Sequence, residues 1–198
     1  MSAKISIRAA TPADASDMAV LVDIAAYGLA SCHWRGAVTR GEGVSVLEVG
    51  RMRALRKEGS FSYLNGVMAD YGGRAAGLLV GYNQPDVPED VDPNEIDPVL
   101  RPLYELEALA VSTWYVNVLA TFHEFRGKGV GTALMGEAGR IAARAGRTDL
   151  SLIAEDDNVG GIRLYERLGF KEVARRTFVP FAGSRPAEHF ILMIRRGG

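Results

Sequence analysis

The sequence predicts a mixed α/β fold, a sheet with helices on both faces. Three observations predict it. Strand-like and helix-like stretches follow the order β, α, α, then mostly β, then βα, βα, ββ. A glycine-rich stretch, Arg126-Gly127-Lys128-Gly129-Val130-Gly131, lies between an apolar run at 115–120 and a helix-like stretch at 132–145. A second apolar run, 150–154, is again followed by a helical stretch, 159–168. A length of 198 residues suits one domain, 1–198, with room for a sizeable core.

Each element has a local reason. Ile5-Ser6-Ile7-Arg8 alternates apolar and polar residues, as a strand does. Thr11-Pro12-Ala13-Asp14 is a helix start, with proline suited to the first position and Asp14 placed as a capping-box acid. Met18, Ala19, Val22 and Ala26 mark one face of the helix that follows, and a second helix is expected over 46–57. Strands at 61–69 and 75–82 flank Tyr71-Gly72-Gly73-Arg74, a hairpin signal. Residues 84–102 hold five of the eight prolines and six acids, among them Asp86, Glu89, Asp90 and Pro93. Proline fixes φ and removes a donor, so this is an acidic, proline-rich insertion within the domain. A helix over 98–110 carries Leu100, Leu103, Leu106 and Ala110 on one face. After the two βα units, Gly169 is a helix stop, and strands at 173–179 and 189–194 close the chain.

Composition excludes several classes. A net charge of −1 gives no basic field for nucleic acid or an anionic membrane, and neither is expected as a partner. No apolar run reaches membrane-spanning length, and the first residues lack the apolar core of a signal peptide. The lone Cys32 cannot form an internal disulfide, so a cytoplasmic location is expected. His33, His123 and His189 show no zinc-ligand spacing, and no metal is expected. Cys32 has no base in view and is not read as a nucleophile.

The glycine stretch carries the functional signal. Glycines let a backbone approach an anion closely, and a helix start adds partial positive charge to that of Arg126 and Lys128. A Walker A loop fails here, because Val130 follows Gly129 where Lys-Ser/Thr is needed. The dinucleotide fingerprint fails too, because Gly127, Gly129 and Gly131 alternate. What remains is Arg126, Gly129 and Gly131 in Arg-x-x-Gly-x-Gly spacing. Beyond the second strand stand Asn158 and, seven residues later, Tyr165 within Leu164-Tyr165-Glu166-Arg167-Leu168-Gly169-Phe170. Both motifs, in this order, resemble those of the GCN5-related N-acetyltransferases (GNAT).

The resemblance implies a mostly antiparallel central sheet, splayed at the central strand, and acetyl-coenzyme A as co-substrate. It implies that pyrophosphate lies on backbone N–H groups of Gly127, Lys128, Gly129, Val130, Gly131 and Thr132, beside Arg126. The pantetheine arm would pair with the edge of Val118, Leu119 and Ala120, and Asn158 would bond it too. A helix N-cap is the other reading of Asn158, and the two are compatible. Tyr165 would give a proton to the departing thiolate, unless it is a core aromatic, and the Leu119 N–H would stabilise the oxyanion.

The general base departs from the pattern. Where the family often has a glutamate on the central strand, this chain has Asn117, which can hold a water or the acceptor amine but not take its proton. Glu105, Glu107 and Glu155 are the nearby acids. Glu107 is the first choice, a solvated surface acid is the alternative for each, and the base is dispensable if the amine arrives deprotonated. The acceptor is an amine on a small molecule or peptide. The acidic insertion is either a solvated loop or a lure for a cationic acceptor. Trp34, Tyr63, Tyr82, Tyr104, Trp114 and Tyr115 either line a pocket or fill the core. A homodimer suits the strands near the C-terminus. The competing reading is a non-catalytic acyl-coenzyme A-binding module, supported by Asn117 and opposed by Tyr165. A nucleotide-binding regulator would rest on the glycine loop alone.

Overall fold

The computed structural model describes residues 4–88, 92 and 95–197. Glu89, Asp90 and Pro93 of the acidic insertion lie outside the described residues. The elements are β1 (Ile5–Ala9), α1 (Ala15–Ala25), α2 (Leu29–Thr39), α3 (Val46–Ala54), β2 (Gly66–Tyr71), β3 (Arg74–Asn83), α4 (Arg101–Glu107), β4 (Trp114–Thr121), α5 (Val130–Arg144), β5 (Leu150–Glu155), α6 (Val159–Arg167), β6 (Lys171–Thr177) and β7 (His189–Arg195). The seven strands form one sheet in the order β1-β2-β3-β4-β5-β7-β6, flanked by helices. The pairs β1/β2, β2/β3, β5/β7 and β6/β7 are antiparallel, and β4/β5 is parallel. This is the mixed α/β fold that the element order predicts. The chain divides into two compact units, Met1–Gly81 with Val118–Ala138, and Tyr82–Asn117 with Gly139–Gly198.

In the first unit the hairpin reading of residues 71–74 holds. Tyr71 pairs with Arg74, and Gly72 and Gly73 have φ of 60° and 81°. Two positive φ values in a two-residue loop are the reason for two glycines. The helix start also holds: the Asp14 carboxylate accepts from the Thr11 N–H and the Thr11 hydroxyl, each at 2.8 Å. Arg8 on β1 grips both Asp14 oxygens, at 2.7 and 2.8 Å, tying strand to helix. The core gathers Met18 and Leu21 of α1, Trp34 of α2, Met68, Leu78 and Val80 of the hairpin, and Val118 and Ala120 of β4.

Helix α2 has no counterpart in the sequence reading. It carries few apolar residues at helical spacing, and only Trp34 and Ala37 are buried. The Trp34 ring stacks on Phe61, 6.0 Å between centroids. A Cβ at Gly50 would lie 2.4 Å from that ring. One large side chain seated over a glycine holds α2, where an amphipathic stripe would have announced it.

In the second unit, Leu106 and Ala110 pack with Phe178, Phe190, Leu192 and Ile194. Glu105 of α4 pairs with Arg176 of β6 at 2.6 Å. α4 is shorter than the predicted 98–110, and it starts at Arg101 and Pro102, where that helix and the proline-rich insertion overlap. The Asp97 carboxylate accepts from the Val99 N–H at 2.9 Å and shapes the turn before it. No helix among the described residues is long and apolar enough to cross a membrane.

Candidate active site

The residues of the glycine-rich loop sit in the first unit. After β4, the Phe122 N–H bonds the Ala76 carbonyl at 3.0 Å, and buried Phe125 anchors the next turn. Arg126, Gly127, Lys128 and Gly129 are then exposed. Gly127 and Gly129 have φ of 73° and 85°, and the residues between and before them do not. Such alternation turns successive N–H groups toward one point. A Cβ at Gly127 would meet nothing within 4 Å, and one at Gly129 only Ile5 Cδ1 at 3.7 Å. The glycine requirement is therefore one of backbone conformation, not of space.

α5 begins here, with the Ala133 N–H donating to the Gly129 carbonyl at 3.0 Å. The N–H groups of Val130, Gly131 and Thr132 occupy the first turn, where the helix itself has no carbonyl to offer. Val130 is 1% exposed and seats this end of the helix. The Lys128 ammonium stands 5.2 Å over the Tyr71 ring and 5.4 Å over that of Phe125. Arg74 covers the Phe125 ring at 5.2 Å. Aromatic faces thus hold cations beside the loop.

Gly77 of β3 supports this corner and was missed from sequence. A Cβ there would come 2.7 Å from the Ala120 carbonyl oxygen and 2.9 Å from Val130 Cγ1. An isolated glycine inside a strand was the available signal for close backbone approach.

Strand β4 changes character along its length. Trp114, Tyr115 and Val116 are buried and pair with Leu150, Ser151 and Leu152 of β5. β5 continues to Glu155 in register with β7, Glu155 opposite Phe190. The β4–β5 register runs to Val116, and Asn117, next along β4, is exposed. Val118 and Ala120 are buried, and Leu119 is half-buried.

Asn158 and Tyr165 belong to the second unit. The Asn158 side-chain oxygen accepts from the Gly161 N–H at 3.1 Å and caps α6. A Cβ at Gly161 would lie 2.5 Å from the Asn158 amide nitrogen, so the glycine makes room for the cap. Tyr165 lies on α6, 8% exposed, its ring 6.1 Å from that of Phe170. The helix stops at Gly169, with φ of 88°, and the Phe170 N–H returns to the Tyr165 carbonyl at 3.0 Å. The Leu-Gly-Phe end of the motif is thus a helix stop that folds an aromatic ring back beside Tyr165.

The candidate acids differ sharply. Glu105 is exposed and paired with Arg176. Glu107 is half-buried, hydrogen-bonded to the Tyr115 phenol, and approached by the Gln84 amide at 3.4 Å. Burial, then the charge of Glu107, hold the Tyr115 phenol well above its ordinary range. Tyr82 stands edge-on to Tyr115, 5.7 Å between centroids. Glu155 is 6% exposed, and burial raises its pKa against the opposing charge of Arg185. Arg185 lies 3.4 Å from Glu155 and 2.6 Å from Asp157. Sequence spacing gave His189 no partners. The fold brings its ring nitrogen 3.1 Å from Asp156, in a group with Glu188. Trp34, Trp114 and Tyr115 are core residues, whereas Tyr104 is exposed.

Comparison with known proteins agrees with this frame. Residues 34–170 match the model of the acetyltransferase (GNAT) family. That is more than half of the chain, and the chain belongs to this family. An uncharacterized N-acetyltransferase of Methanocaldococcus jannaschii is 39% identical over 69 residues, 30% of this chain and 30% of that protein. The matched stretch is thus less than a third of that relative's length. Among solved structures, an acetyltransferase aligns with a TM-score of 0.63 at 21% identity, covering 98% of this chain and 100% of that one. An N-acetyltransferase from Staphylococcus aureus Mu50 gives 0.61 at 17% identity, covering 96% and 99%. At these identities the likeness carries the fold.

Proposed function

We propose that this protein is a single-domain N-acetyltransferase that moves an acetyl group from acetyl-coenzyme A to an amine by direct attack. The observation that carries the reading is the loop at the start of α5, with two exposed left-handed glycines before three first-turn N–H groups. Backbone donors, a helix start and adjacent cations suit a pyrophosphate. Acetyl-coenzyme A supplies, when bound, a thioester carbonyl ready for attack. Gly127, Lys128, Gly129, Val130, Gly131 and Thr132 bind its phosphates through their backbone, with Arg126 alongside. Val118, Leu119 and Ala120 offer a strand edge to its amide groups, and the Asn158 amide nitrogen donates to the same arm.

The chemistry needs one proton removed from the amine and one delivered to sulfur, as a carbon–nitrogen bond replaces a carbon–sulfur bond. Tyr165 delivers the second, since an ordinary phenol keeps its proton at neutral pH. The Leu119 N–H donates to the carbonyl oxygen as charge develops on it. Glu107 receives the amine proton, and Asn117, exposed on β4, holds the amine or a relaying water.

The test is thiol release from acetyl-coenzyme A against a panel of amines, with Tyr165→Phe beside the wild type. Release that depends on the amine, and falls at least about tenfold (roughly 1.4 kcal/mol) in the variant, is expected. Release untouched by the substitution removes Tyr165 from its role. Coenzyme A binding without release for any small or peptide amine favours the non-catalytic module, for which Asn117 in place of a strand carboxylate is the supporting observation.

A further inference from the structure

Three consecutive carboxylates, Glu155, Asp156 and Asp157, close β5 and lead into Asn158. Like charges side by side repel, and taking one of them out of water is costly without a partner. The segment before β7 supplies a partner to every one. The Arg185 guanidinium reaches Asp157 at 2.6 Å and Glu155 at 3.4 Å, bridging the two outer acids. Asp156 takes the opposite course, accepting from the Glu188 N–H at 3.0 Å and meeting the His189 ring at 3.1 Å. Two backbone bonds complete the arrangement. The Asp156 N–H donates to the His189 carbonyl and the Asn158 N–H to the Glu155 carbonyl, each at 3.0 Å. Asn158 then caps α6 through Gly161, and α6 carries Tyr165.

We infer that Arg185 is a positioning residue for coenzyme A binding, acting through the 155–158 turn that aims the Asn158 amide. The inference rests on the role given to Asn158 above. Both contacts leave one guanidinium nitrogen, Nη2, so a single fixed positive group spans the two carboxylates. Arg185 holds the turn from the far end of a connection that differs from it by about thirty positions in sequence. A ligand group bound through a single side-chain amide is sensitive to small displacements of the chain that carries it.

The experiment is a double-mutant cycle read by calorimetric titration of coenzyme A into the full-length protein. Arg185→Gln is expected to weaken binding at least about fivefold, and Arg185→Lys to recover part of the loss. Asn158→Ala is expected to weaken binding by itself, and Arg185→Gln to add little on top of it. Arg175→Gln, which breaks an exposed pair with Glu172 on β6, is expected to bind as the wild type does. Should Arg185→Gln fail to fold, Asp157→Asn removes the 2.6 Å contact from the other side and enters the same cycle. Wild-type affinity in Arg185→Gln, or losses that multiply in the double variant, overturns the inference while Asn158→Ala remains impaired. Unimpaired Asn158→Ala is a separate result: it overturns the role of Asn158, and this inference with it.

Discussion

The loop at 126–132 and the turn at 155–158 handle charge in opposite ways. The loop keeps Gly127 and Gly129 exposed and presents backbone N–H groups in its first helical turn. The turn takes a carboxylate nearly out of water and seats it, with its two neighbours, on residues 185–189. In the first region the backbone does the work, so the constraint is a left-handed φ and glycine marks it in the sequence. In the second, side chains do the work, and their partners lie far along the chain. The lesson is that a local constraint leaves a local signature, whereas a paired constraint is divided between two segments that each look ordinary.

Substituting the loop glycines breaks this comparison most directly. Gly129→Ala meets only a 3.7 Å contact, but forces a side chain into left-handed backbone. A stability loss of about 1–2 kcal/mol is expected. Coenzyme A affinity should fall at least about tenfold, because the N–H groups no longer converge. Gly136→Ala, in exposed α5 surface with nothing within 4 Å, is the control. It should raise stability by about 0.5–1 kcal/mol and leave affinity alone. Equal affinities for the two variants would mean that loop conformation has no part in binding.

Acid pairing sharpens the comparison at the next level. Hydrogen bonds from Arg8 hold Asp14 down at about 2, against 3.8 for an ordinary aspartate. A depressed folded-state pKa adds stability that is present above pH 3.8 and disappears as pH falls toward 2. Because Arg8 is 40% exposed, solvent screening reduces the effect to roughly 1–2 kcal/mol. Asp14→Asn should therefore lower the urea midpoint at pH 6, with the difference from wild type shrinking as pH drops below 4. A pH-independent difference would assign Asp14 a role other than its charge.

Glu155 should behave with the opposite sign and the smaller effect. Burial raises its pKa above 4.5, so its contribution to stability is present below 4.5 and is lost as pH rises through the folded-state value. Glu155→Gln should compare best with wild type near pH 7 and worst near pH 4. Thermal melts across that range would show the slope, and a reversed slope would mean that the Arg185 pair outweighs the burial.

Much of the candidate site was legible because it depends on short-range rules. The glycine alternation, the Asn158 cap and the Leu-Gly-Phe stop each state a backbone requirement within a few residues. The hairpin at Gly72-Gly73 was legible for the same reason. Helix α2 was not, since a single Trp34 over Gly50 holds it and no periodic stripe does. Gly77 looked like any strand glycine until β4 and α5 were packed over it.

Sequence alone was enough for the fold class, for the order of strands and helices apart from α2, and for the left-handed glycines before α5, because φ limits, capping and apolar period act between near neighbours. Which acid is buried, which is neutralised, and what fixes the turn before α6 came from packing. Glu105, Glu107 and Glu155 look alike in a linear text. Their differences arise from Arg176, Tyr115 and Arg185, and those partners arrive only when distant segments are brought together.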